Sequence, residues 1–169
     1  MNTARQCFDA MLAGRMGSRP AWMPLVDELA ARVATTSYRQ LSTDPELWTS
    51  GLLGATELLS ADALVAGFDP TIAAEACGAE LAWTAARPVI VRPPAEVGSE
   101  PLAAPRQAAL LETVRRLGTT ARAHIGLVAA LAGPATLALQ LCPDATLDDG
   151  LKRVRAAHTA MTEAVLKTR

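Results

Sequence analysis

The sequence predicts an α/β chain in which short parallel strands lie beneath helices. Residues 63–68 (ALVAGF) and 124–132 (HIGLVAALA) are uniformly apolar runs, as strands buried on both faces are. Segments of helical spacing lie between and after them, so strands and helices alternate. A third apolar run, 21–26 (AWMPLV), brings the main strands to three, although Pro24 weakens it as a ladder strand.

Residues 2–14 read as a short helix with Phe8, Met11 and Leu12 on one side, broken by Gly14, Gly17 and Pro20. Over 44–60, Asp44 can cap and Pro45 can open a helix in which Leu47, Trp48, Leu52, Ala55 and Leu59 recur at helical spacing. Asp69-Pro70 starts another helix, running to about Cys77 and terminated by Gly78. Residues 80–100 form an excursion containing the short strand VIVR. Over 105–118, Leu110, Leu111, Val114 and Leu117 share a face; Arg106, Glu112, Arg115 and Arg116 are expected opposite, with Glu112 and Arg116 paired. The last helix is expected over about 147–167. Thr146 and Asp149 resemble a capping box, and Asp148 and Asp149 lie at its positive end. Lys167 and Arg169 lie at its negative end, and Leu147, Leu151, Val154, His158, Met161 and Val165 form its seam.

The 169 residues suit one domain, 50% hydrophobic and 20% charged. A net charge of −1 supplies no basic field for nucleic acid or an anionic membrane. Cys7, Cys77 and Cys142 are dispersed and read as reduced, buried thiols rather than a disulfide or zinc framework. No apolar run reaches bilayer length and no signal-peptide core opens the chain, so a cytoplasmic location is expected. Phosphate-loop, GxSxG and HExxH patterns do not occur.

Four phrases, in order, carry a resemblance: RQCFDAMLAGRMGSRPAWMP (5–24), SYRQLSTDPELW (37–48), ADALVAGFDPTIAAEACGAELAW (61–83) and HIGLVAALAGPATLALQL (124–141). They resemble the N-terminal half of the uroporphyrinogen decarboxylase superfamily, which includes corrinoid and coenzyme M methyltransferases. The resemblance implies a partial (half) TIM-type (β/α) barrel with three main parallel strands, helices outside and a short β excursion. Residues 1–169 would be a single N-terminal half-barrel domain. Two family features are missing. The decarboxylase's Arg-Gln-Ala-Gly-Arg-Tyr motif, whose arginines hold substrate carboxylates, is replaced by MPLVDELAARVATTSYRQ. The zinc ligands of the methyltransferase branch belong to the second half, and neither His124 nor His158 has a cysteine two residues on.

In such a barrel, residues at the carboxyl ends of strands face the site. Asp69, directly after the second strand, is the candidate catalytic residue; the resemblance makes it the aspartate that accepts pyrrole N–H groups. An aspartate before proline is equally a helix cap. Asp27, Gly133 and Thr136 are candidate substrate-binding residues on the same rim, against alternatives of a helix cap for Asp27 and a tight turn with a cap for the others. His124, at the opposite end of its strand, and His158, on the last helix, are read as structural. No metal ligand is assigned.

Three strands form an arc rather than a closed barrel, which takes eight strands and about 250 residues. The bare edges need cover. A second copy of the chain could supply it, or a separate chain carrying the remaining strands, or the rest of a longer protein. Met1 reads as a true start, and the closing TEAVLKTR sets no natural stop. The leading expectation is one subunit of a two-component enzyme acting on a small molecule. Methyl transfer is favoured over tetrapyrrole decarboxylation, with a corrinoid or zinc contributed through the partner. The alternatives are a homodimeric tetrapyrrole- or small-molecule-binding or regulatory protein, and a truncated inactive copy.

Overall fold

Thr3 opens α1 (Ala4–Leu12) with a reciprocal cap: its Oγ1 accepts from the Gln6 amide and its own amide donates to Gln6 Oε1. The computed structural model describes residues 3–15, 17 and 19–168; the expected start of this helix at Asn2, and Arg169 at the far end, lie outside them. Two short helices follow, α2 (Asp27–Val33) and α3 (Tyr38–Leu41). Asp44 accepts from the Glu46 and Leu47 amides and Pro45 occupies the first turn of α4 (Pro45–Leu58). α4 crosses α2 closely: a Cβ on Gly51 would stand 2.6 Å from the Ala30 carbonyl oxygen.

β1 (Ala63–Ala66) is buried throughout. It leads through α5 (Thr71–Ala76) into an antiparallel hairpin, β2 (Glu80–Trp83) with β3 (Pro88–Arg92). The excursion expected around VIVR is therefore this hairpin. α6 (Pro105–Thr120) precedes β4 (Gly126–Ala129), which pairs in parallel with β1, Ala63 opposite Gly126 and Ala66 opposite Ala129. α7 (Pro134–Leu141) and α8 (Leu147–Leu166) complete the described fold. Thr146 caps α8 through its Oγ1, which accepts from the Asp149 amide. The expected Glu112–Arg116 pair is present at 2.8 Å.

One hydrophobic core lies between α2, α4, α6 and the strand pair, around Trp48, Leu52, Leu64, Leu110 and Leu117. A second lies where α5, α7 and α8 meet, around Ala73, Leu137, Val154 and Met161. In the α8 seam, Gly150, Val154, Ala157 and Met161 are buried, whereas Leu147 is exposed. All three cysteines are buried and free.

The architecture is mixed α/β with parallel strands, but the parallel sheet has two strands among the described residues rather than the three expected. Residues 21–26 form no strand. Trp22 meets Asp62, the residue before β1: its carbonyl accepts from the Asp62 amide at 2.8 Å and its amide donates to the Asp62 carboxylate. Pro20 and Pro24 offer no N–H on either side, so pairing cannot propagate. Asp62, fully buried, is further held by Arg19, and that pair keeps its carboxyl below the usual carboxylate range.

Candidate functional site

β1 and β4 end side by side, and the loops that leave them enclose a cavity of about 740 Å³. Its wall combines the start of α2, Tyr38, the 67–70 loop, Arg87 from the hairpin turn, and residues 130–133 with Thr136. Volume, partly apolar lining and a few convergent polar groups are those of a small-molecule site. Asp27, Asp69, Gly133 and Thr136, chosen from separate parts of the sequence, all line it.

Gly67 directs the loop. Its φ is +82°, and a Cβ there would meet Leu110 at 2.7 Å and the Ala130 carbonyl at 3.1 Å. The turn aims the Phe68 amide at Asp27 and brings Asp69 over α6.

Asp69 is enclosed by protein donors. Its Oδ1 accepts from the Thr71 amide at 2.9 Å and the Thr71 hydroxyl at 2.7 Å. Its Oδ2 accepts from the Tyr38 hydroxyl at 3.1 Å and is ion-paired with Arg106. Arg106 also donates to Thr71 Oγ1 at 3.0 Å and to Glu75 Oε2 at 3.4 Å. Burial raises the Glu75 pKa, partly offset by Arg106. Tyr38 is pushed up as well, by burial first and then by Asp69 and Asp27. The aromatic ring of Trp83 faces this network. Its centroid is 5.3 Å from the Arg106 guanidinium carbon, 5.5 Å from that of Arg39 and 6.4 Å from the Tyr38 ring.

Arg106 corrects the expectation of a solvated face: it is 1% exposed. The spacing carried the signal, because Arg106, Leu110, Val114 and Leu117 follow one another by four, four and three residues along one stripe. A buried cation persists because Asp69 and Glu75 face it. Its Nε is buried without an acceptor among the described residues. Tyr38 and Arg87 carry no sequence signal of their own, and Trp83 reads there as too dispersed from the other tryptophans to form a stacking platform; the three come from α3, the hairpin turn and β2, which no local spacing links.

Asp27 is the first helical residue of α2 and does not cap it; Val26 holds the cap position. Its Oδ2 accepts from the Phe68 amide at 3.0 Å and its Oδ1 from Trp48 Nε1 at 3.4 Å. Burial pushes its pKa up to about 6, against the lowering effect of those two donors. Gly133 caps α7 with an ordinary φ of −66°, and Thr136 is exposed in the first turn of that helix. An added Cβ at Gly133 would meet nothing within 4 Å, so the surrounding fold does not demand glycine there.

His124 lies in the turn before β4, and its carbonyl accepts from the Arg5 amide at 3.2 Å. His158, on α8, does not line this cavity but borders a second groove that adjoins it at Leu131 and Gly133. Among the described residues no three His, Cys, Asp or Glu side chains are grouped to hold a metal. Nor is any helix among them long and apolar enough to cross a membrane.

Parallel strands backed by helices, with a carboxylate-bearing cavity at their carboxyl ends, define an α/β protein of the type whose sites lie on strand-terminal loops. The family model described as "Uroporphyrinogen decarboxylase (URO-D)" matches residues 3–168, and the chain belongs to that family. Among solved structures, a methyltransferase from Methanosarcina mazei superposes with a TM-score of 0.76 at 18% sequence identity, a likeness of fold. The alignment covers 99% of this chain and 57% of that one, so the chain spans little more than half the length of its structural relative. No curated protein matches the sequence.

Proposed function

We propose that the chain forms one part of a barrel enzyme of this family, binding a small molecule in the cavity beside Asp27 and Asp69 and completed by strands from a partner chain. The observation that carries the reading is the outer edge of β4. Among the described residues it has no strand beside it, and a groove of about 840 Å³ opens there between α1, α6 and α8. Leu127 and Ala129 of the strand and Leu131 just beyond it line that groove together with Phe8 and Val165. An apolar parallel edge of this kind calls for cover by further strands. The larger size of the structural relative fits the same reading.

Methyl transfer to a small acceptor is preferred to tetrapyrrole decarboxylation. The arginine motif that would hold substrate carboxylates is missing, and the structural relative is described as a methyltransferase. Among the described residues no three His, Cys, Asp or Glu side chains are grouped to hold a metal, and in this reading any zinc or corrinoid would be held through the partner, in the cytoplasm. A second reading, a homodimeric binding protein, draws on Asp69, whose oxygens are occupied by Thr71, Tyr38 and Arg106.

Co-expression with the neighbouring reading frame tests the proposal. The expected result is a stable complex that moves a methyl group from methylcobalamin to a thiol acceptor. A chain that forms no complex and gains no methyl transfer would overturn it; a homodimer that retains a chromophore would favour the binding protein.

A further inference from the structure

We propose that Asp27, rather than Asp69, is the carboxyl group that exchanges a proton with the molecule held in the cavity. The inference rests on the reading of that cavity as a small-molecule site.

The two aspartates differ in what is left free. A carboxylate offers about four acceptor positions. Asp69 fills its own with the Thr71 amide and hydroxyl, the Tyr38 hydroxyl and Arg106. Protonating it would break the ion pair and leave the guanidinium buried beside a neutral group. Asp27 receives one donor on each oxygen, from Trp48 Nε1 and the Phe68 amide, and it lines the cavity. Among the described residues no cation forms an ion pair with it. Trp48 is fully buried and the Phe68 amide is set by the Gly67 turn, so the carboxyl is held in place while half its acceptor capacity stays open.

The charged and titratable groups around Asp27 are Asp69 in the strand-terminal loop, Arg106 on α6, Tyr38 on α3, Glu28 beside it on α2 and Arg87 at the hairpin turn. Burial and Asp69 favour the protonated form, while Arg106 and the two donors favour the carboxylate. The balance near neutrality suits a group that must both give and take a proton. In the donating direction the Asp27 O–H passes its proton to a basic atom of the bound molecule. The carboxylate that remains keeps the Trp48 and Phe68 hydrogen bonds, and return of the proton restores it.

Two measurements on the full chain test this. In protein labelled with 13Cγ-aspartate, the resonance that Asp27→Asn removes should titrate near pH 6. A midpoint in the ordinary range of about 4 would overturn the proposal. Benzamidine, protonated and cationic throughout this range, should bind about tenfold more tightly at pH 7.5 than at pH 5. Neutral benzamide should show no such rise, and Asp27→Asn should abolish it. Benzamidine binding that rises equally in wild type and Asp27→Asn would overturn the role of Asp27 while leaving the small-molecule reading in place. If neither probe binds at any pH, the small-molecule reading fails, and with it the exchange partner this proposal needs.

Discussion

Asp69 and Arg106 show how one residue's role depends on a partner distant in the chain. The sequence offered Asp69 two roles, helix cap and acceptor for a ligand; the fold adds a third, as counter-ion of a cation that is 1% exposed. Removing the carboxylate should therefore cost more than the ~0.5–2 kcal/mol of a lost cap. For Asp69→Ala the expected loss is about 3–5 kcal/mol, because Arg106 is left as an under-compensated buried charge. Urea denaturation reads this directly, and a loss near 1 kcal/mol would mean that Arg106 escapes to solvent. Asp27 makes a second prediction, in pH. Its folded pKa of about 6 lies above the ordinary carboxyl value, so the folded state holds this proton more tightly than the unfolded chain does. The resulting penalty is absent below pH 4, grows between pH 4 and 6, and is complete above. Relative to wild type, Asp27→Asn should gain about 1–3 kcal/mol between pH 4 and pH 7.5. Paired unfolding curves at the two pH values would expose a flat difference, which would contradict the raised pKa.

Among the elements, those with a local signal match their sequence reading most closely. Asp44-Pro45 starts α4 at the expected residue, and Thr146 caps α8. The 21–26 run misled because its composition suits a strand while its prolines deny it a ladder. α2 is signalled only by the capping role open to Asp27, and α3 by nothing local, because each is under three turns long, too short for periodicity to register. One contact between elements is open to test. Gly126 begins β4, and a Cβ there would enter the ring of Phe8 on α1. Gly126→Ala should cost about 1–3 kcal/mol by overpacking. In a Phe8→Ala background most of that cost should vanish, giving a double-mutant cycle with clear coupling. Additive costs would mean that α1 does not pack against the start of β4.

Across the whole molecule, the open edge of β4 dominates. If the groove beside it takes a partner, association should depend on its apolar rim. Leu12 and Leu166, 67% and 47% exposed, stand there. Replacing both with lysine should weaken complex formation or self-association about tenfold or more, because a charge buried at an interface without a partner is strongly penalised. Thermal unfolding should change little, since neither side chain is buried in the monomer. Sedimentation velocity distinguishes the outcomes, and unchanged association would place the interface elsewhere.

The sequence alone determined the alternation of helix and strand, the sites of the main caps, and the family, because these depend on neighbours within a few residues or on the order of short phrases. It also brought Asp27, Asp69, Gly133 and Thr136 forward, since strand-terminal positions can be read from where an apolar run stops. Tertiary structure alone decided which carboxylate is neutralised, which cation is buried, and that Trp83 of the hairpin lies against both arginines. The physical reason is that burial and charge pairing join residues as far apart as Asp69 and Arg106. Their distance in space is set by the packing of β1 against α6, which no local pattern encodes.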